Sequence, residues 1–250
     1  MARTRWPQMM LGILIAASSL KGANQEILVT DSSASGCPLS LSGKLAFSDT
    51  GPENTPYSIS IREIVKNRSS RSVLLLGLTV NLEYGISDAP QRYKNDYYFS
   101  SQVLQPGAVS NVDLSLPRYG PRRSETGSTP QFSATASVDF VQFSDGRTWG
   151  DESELGEMLP IRRLTYYALG MLRREYDLRG DDGFASEVMK PSYSSLPGIV
   201  ALQNLYRQRG ADGAETTAWK MIEAAKQHQE EIDSAKVESR LRCSLPFSRF

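Results

Sequence analysis

Residues 71–84 read RSVLLLGLTVNLEY. Leu74, Leu76, Leu78, Val80, Leu82 and Tyr84 share one parity, and Gly77, Thr79, Asn81 and Glu83 the other. Period-two alternation of that length predicts a β-strand with one buried face. Just before it, Tyr57, Ile59 and Ile61 alternate with Ser58, Ser60 and Arg62, and the turn-type cluster Asn67-Arg68-Ser69-Ser70 follows. The spacing predicts an antiparallel hairpin of these two strands. Pro38–Ser48 alternates imperfectly, and Val112, Leu114 and Leu116 alternate after a Pro106-Gly107 turn. Ala134, Ala136, Val138 and Phe140 alternate, then Val141 and Phe143 change parity, which predicts a β-bulge. Asp145-Gly146 marks a hairpin before Trp149. With 26–30 and 97–104, seven or eight short strands follow one another without intervening helices. That pattern predicts an antiparallel β-sandwich or barrel, with an immunoglobulin-like sandwich expected first.

From about residue 151 the period becomes helical. Ile161, Leu164, Ala168, Met171, Leu172 and Tyr176 form one stripe that Gly180 should stop. Leu196, Ile199, Leu202, Leu205 and Tyr206 mark a second helix between Ser195 and Gly210. Asp212 and Glu215 have capping-box spacing and should open a third, with Trp219, Ile222, Ala225, Ile232 and Val237 on its apolar side. The fold class expected is therefore α+β: a β-sandwich over 26–150, then about three α-helices over 151–250.

Part of the first half resembles a known family. Ile64-Val65-Lys66-Asn67-Arg68-Ser69 precedes a long alternating strand, then Phe99 and Leu104-Gln105-Pro106-Gly107 precede another. Over about 57–116 this is similar to the exported bacterial β-sandwich modules of the FxLyD type. There an Asn-x-Ser turn joins two strands and a Leu-x-Pro-Gly turn precedes the last ones. Asn81-Leu82-Glu83-Tyr84 departs from that family's Leu-Tyr-Asp ending. The resemblance implies an extracytoplasmic β-sandwich without established catalytic activity.

Charge narrows the function classes. The 250 residues hold 28 Lys+Arg, 28 Asp+Glu and one His, a formal net charge of zero. Such a balance gives no footing for a nucleic-acid binder or for attachment to an anionic membrane. The N-terminus changes the picture further. Arg3 and Arg5 precede an apolar run from Met9 to Ala17, and Ala17 and Ser19 make a −3/−1 pair. This is the layout of a secretory signal peptide over 1–19, and the run is too short for a comfortable membrane span. An exported protein, periplasmic or extracellular, is expected. In that setting Cys37 and Cys243, near the two ends of the mature chain, are candidates for a disulfide, with two free thiols the alternative.

Candidate chemistry is sparse. His228 sits among Lys226, Gln227, Gln229, Glu230 and Glu231, which predicts a solvated surface histidine, not a general base. With one His, no His-based triad or zinc site forms without it, and nothing in the pattern calls for a metal or a cofactor. Asp181-Asp182-Gly183 and Asp212-Gly213 lack the calcium-loop spacing. Asp139, Asp145, Asp151 and Glu154 are the densest acids and leave open a carboxylate-dependent hydrolase acting on a glycan. The loop Pro117–Pro130 carries Arg118, Tyr119, Arg122 and Arg123, residue types common at binding hot spots, and is a candidate partner-binding loop. The reading that follows is an exported, non-enzymatic binding or envelope-associated structural protein with a protein or envelope partner. An assembly or chaperone-like subunit, using a sheet edge or the last helix, is the other alternative.

Overall fold

The computed structural model describes residues 26–48, 57–83, 90–118 and 133–244. The strands are β1 (Glu26–Asp31), β2 (Leu39–Ser48), β3 (Tyr57–Asn67), β4 (Val73–Glu83), β5 (Gln91–Asp96), β6 (Val109–Arg118), β7 (Ser133–Phe143) and β8 (Thr148–Gly150). The helices α1 (Ser153–Val188), α2 (Pro197–Arg209) and α3 (Ala211–Ser244) follow. The protein is α+β, with the helices C-terminal to the strands. The strands form one curled sheet in the order β5-β4-β7-β1-β2-β3-β6, with β8 paired to β7.

β1 is where the sheet curls. Glu26 to Val29 pair with β2 antiparallel, whereas Thr30 and Asp31 pair with β7 parallel. The sheet is thus mixed, which corrects the all-antiparallel expectation. Its concave side holds one core, with Leu41, Ile61, Val65 and Val112 from one half and Leu76, Leu78, Val80 and Val138 from the other.

The expected β3–β4 hairpin does not form. β3 pairs with β2 and β6, and β4 with β5 and β7. The turn cluster instead carries the chain from one half of the sheet to the other. Asn67, wholly buried, holds that crossing: its Nδ2 donates to the carbonyls of Arg71 (2.7 Å) and Leu104 (3.0 Å) and its Oδ1 accepts from Ser69. Residues 97–104 likewise form no strand. Leu104 contributes an isolated bridge to Val73, and β5 takes the sheet edge.

The parity change in β7 is real. The β4–β7 register shifts twice, leaving Asp139 extra on β7 and Leu74 extra on β4. Val141 and Phe143 rejoin the concave core, while Phe140 and Gln142 face the opposite side. That opposite side is covered by helices. Leu75 and Phe140 pack on Met158 of α1, and Leu74 and Tyr98 on Ala225 and Ile232 of α3. Strand β4 is therefore buried on both faces from Val73 to Leu78.

The helices share their own core of Leu169, Leu172, Phe184, Ile199, Leu202 and Ala218. Gly180 leaves helical geometry (φ 61°, ψ −146°), so α1 breaks there and resumes. The buried stripe of α1 runs Met158, Arg162, Thr165, Ala168, Leu169 and Leu172, turned from the expected one, and Leu164 is exposed. The capping box does not form. Asp212 lies within the first turn of α3, and Glu215 accepts instead from Trp219 Nε1 at 2.8 Å. Among the described residues no helix is long and apolar enough to cross a membrane.

Candidate cleft between α1 and α3

α1 and α3 share the helical core at Ala168–Leu172 and Ala214–Met221, and each also reaches the sheet, α1 through Met158 and α3 through Ile232. Between them lies a cleft of about 1010 Å³ with Tyr98, Gln142 and Arg162 among its lining residues. One wall, from α1, presents Leu155, Leu159, Tyr166, Tyr167 and Met171, with Arg163 among them. The other, from α3, presents Lys226, Gln229, Glu230, Asp233 and Lys236. Leu159, Tyr166 and Tyr167 are 40%, 42% and 65% exposed, high for such large apolar groups.

The inner end of the cleft is rigid. Arg162, 4% exposed, donates from Nε and Nη2 to the two carboxylate oxygens of Asp96 (2.8 and 2.7 Å) and from Nη1 to Gln142 Oε1 (2.8 Å). Its guanidinium carbon stands 4.5 Å from the centre of the Tyr98 ring. Asp96 also accepts from the Tyr98 N–H, and Tyr98 Oη donates to Gln229 Oε1 of α3 at 3.0 Å. Burial is the main reason the Tyr98 hydroxyl is pushed above its ordinary pKa. A bidentate, charge-assisted pair of this kind fixes the side chains it joins. Strand, turn and both helices meet at this point. The Asp139 bulge is what turns Gln142 toward it.

His228 corrects the sequence reading, for it is buried at 4% exposure in the α3–sheet contact. Its Nε2 lies 2.9 Å from the Ser100 carbonyl, so Nε2 carries the proton and donates. Its Nδ1 is buried without a hydrogen-bond partner, 3.7 Å from Glu231 Oε2. His228 and Arg162 both neighbour the Tyr98 ring, His228 at 6.3 Å between centroids.

The acids singled out from sequence have separate partners. Asp139 accepts from the hydroxyls of Thr79 and Ser137, and Asp145 pairs with Arg71 and Arg147. Asp151 accepts from the Ser153 N–H, which together with the Ser153 side chain holds its carboxyl below the ordinary range. Glu154 is buried against Lys94 at 2.6 Å. Burial works against the Lys94 ammonium, but Glu154 and Glu157 outweigh it and raise its pKa.

Cys37 is a free, half-buried thiol whose Sγ accepts from the Leu39 N–H at 3.4 Å. Burial, then the nearby Asp31 carboxylate, push its pKa up. Cys243 lies in the last turn of α3, its side chain outside the described residues. Arg118 ends β6, while Tyr119, Arg122, Arg123 and the proposed signal segment 1–19 also lie outside them.

Sequence reading missed one further group. Glu63 of β3 projects into the concave core, fully buried, with both carboxylate oxygens lacking a hydrogen-bond partner. Opposite it on β2 is Gly43, where a Cβ would collide with the Glu63 carboxylate. Burial, and secondarily Asp31, raise the Glu63 pKa to about 7. The signal was present: Glu63 continues the parity of Tyr57, Ile59 and Ile61 and precedes Val65, an acid in an apolar row.

No family model and no curated protein matches the chain. A solved structure of a hypothetical protein from Peptoclostridium difficile 630 aligns over 51% of this chain and 92% of that one, at 12% identity and a TM-score of 0.30.

Proposed function

We propose that the chain is an exported, non-enzymatic binding protein whose helical layer takes an amphipathic helix of a protein partner in the α1–α3 cleft. The observation that carries this is the contrast between the two walls. The α1 wall is mainly apolar and aromatic, with Arg163 its one exposed charge, and is left open to solvent, whereas the α3 wall carries charges of both signs. A helix with an apolar stripe facing α1 and a mixed-charge flank facing α3 satisfies both, which is helix-in-groove recognition. Behind it, the two halves of the curled sheet on either side of β1 enclose a common core. That arrangement supports an immunoglobulin-like sandwich as the rigid body presenting the cleft.

The test places a photo-crosslinking residue at Tyr167, and at exposed Leu178 as a control, in the full chain expressed in an exporting host. A discrete protein adduct is expected from 167 alone, and Leu159→Glu in the same chain should remove it. Equal adducts at both positions, or one that survives Leu159→Glu, would overturn the reading. Export is checked separately by the N-terminal sequence of the chain recovered outside the cytoplasm, expected to start after Ser19.

A further inference from the structure

The two edges of the sheet are unlike. β5 is six residues long and carries Arg92, Lys94 and Asp96, the short, charged form by which edges are kept from pairing. β6 is ten residues long, pairs with β3 without a register shift, and between Val109 and Leu116 bears a single charge, Asp113, already paired with Arg62 at 3.0 Å. Among the described residues β3 is its strand partner.

Among the described residues, the ladder fixes which backbone groups of β6 are left unused by β3. The Asn67 N–H donates to the Ala108 carbonyl. Ala108 therefore faces β3, and by alternation Ser110, Val112 and Leu114 do too. Val109, Asn111, Asp113 and Ser115 then turn their N–H and C=O groups away from β3. Val109 is 55% exposed, and the Asp113 side chain 68%. The next outward position, Pro117, has no N–H and ends the row. At the other end stands Gly107, whose N–H is taken by the Asn67 carbonyl. The usable row is thus symmetric about Val112.

We propose that β6 is a self-association edge on which a second copy of the chain pairs its own β6 antiparallel across a two-fold axis at Val112. In that register Val109 meets Ser115 of the second copy and Asn111 meets Asp113, so every outward group of the row is used. Residues meeting in this way exchange both their hydrogen bonds, and a two-fold contact is self-complementary by construction. The register also sets each Asp113 opposite an Asn111, not opposite its own copy, and the chain's net charge of zero opposes no self-association.

The test is the mass of the full chain in solution, with reductant present, over a concentration series reaching roughly 100 μM, above a micromolar dissociation constant. A dimer is expected. Asn111→Pro removes an outward N–H that the internal ladder does not use, a position where an edge strand tolerates proline, and should leave a monomer. Asn111→Asp sets like charges across the axis and should weaken the dimer roughly tenfold, while Asn111→Lys faces Asp113 and should tighten it several-fold. These charge variants carry the test should the proline variant fail to fold. A chain that stays monomeric throughout the series overturns the proposal, as does association indifferent to both charge changes. Neither result touches the cleft, whose adduct is read at Tyr167.

Discussion

Glu63 and Arg162 are both buried ionisable residues, and their surroundings make opposite predictions. Glu63 has no partner, and its pKa rises from 4.5 to about 7. The folded chain therefore holds a proton that the unfolded chain releases above pH 4.5. Stability should fall as pH rises from 4.5 to 7 and then level off, by about 3 kcal/mol in all. Urea unfolding at pH 5 and pH 8 measures the difference. Glu63→Gln, which cannot ionise, should match the native chain at pH 5, exceed it at pH 8, and lose the slope. Each nitrogen of Arg162 has an acceptor, so the loss comes from breaking the set. Arg162→Met strands the Asp96 carboxylate under the helices and should lower stability by about 3–5 kcal/mol, as thermal unfolding would show. Adding Asp96→Asn should recover part of that, because the orphaned charge is then gone. Arg162→Lys should behave more like Met than like Arg, since an ammonium cannot hold both Asp96 oxygens and Gln142 at once.

Single-strand patterns were legible in the sequence, and apart from the β7–β8 hairpin their pairing was not. Alternation at 71–84 located β4 and Asp145-Gly146 the β7–β8 hairpin, while the parity switch expected after Phe140 falls one residue earlier, at Asp139, which puts Phe140 on the opposite face from Val138. Neighbours in sequence were assumed to be neighbours in the sheet, and Asn67 defeats that by anchoring a crossing instead of a hairpin. The α1 stripe was misplaced because Arg162 is buried by its pairing with Asp96 and Gln142, a tertiary effect that periodicity cannot register, and Thr165 is buried beside it. His228 looked solvated for the same reason: its polar neighbours face outward while its own ring meets Ser100. The cleft was illegible, being made from a turn, a strand and two helices distant in sequence. One element-scale prediction follows from the bulge. Gly150, at φ +89°, lies against the Asp139 backbone, where a Cβ would collide with that residue's carbonyl. Asp139 has no freedom to yield, since its carbonyl also accepts from the Asp151 N–H. Gly150→Ala should therefore destabilise by more than the roughly 1 kcal/mol of a positive φ alone, read as a lowered urea midpoint.

At the scale of the whole molecule, the sheet and the helices unfold together or apart according to what Leu74, Leu75 and Phe140 meet. All three are at most 1% exposed, and the atoms that cover their outward faces belong to α1, α3 and Tyr98. Removing the helices would open an apolar patch on both β4 and β7, which a free-standing sheet rarely leaves to water. The helices need the sheet in turn, because buried Arg162 and His228 find their partners on β5, β7 and the turn after β5. Mutual dependence of this kind predicts one cooperative transition. Trp149 packs against the concave core and Trp219 within the helical core, so each reports one layer. Chains keeping only one of these tryptophans should give the same urea midpoint, and the far-ultraviolet dichroism of the helices should coincide with both. The decisive variant is Ile232→Asp, far from Trp149 in sequence and lodged between α3 and the sheet. An unpaired carboxylate there should destabilise by roughly 3 kcal/mol. If the layers are one cooperative unit, the Trp149 and Trp219 midpoints move down by the same amount. A Trp149 midpoint that stays in place while Trp219 shifts would mean that the sheet stands without its helices.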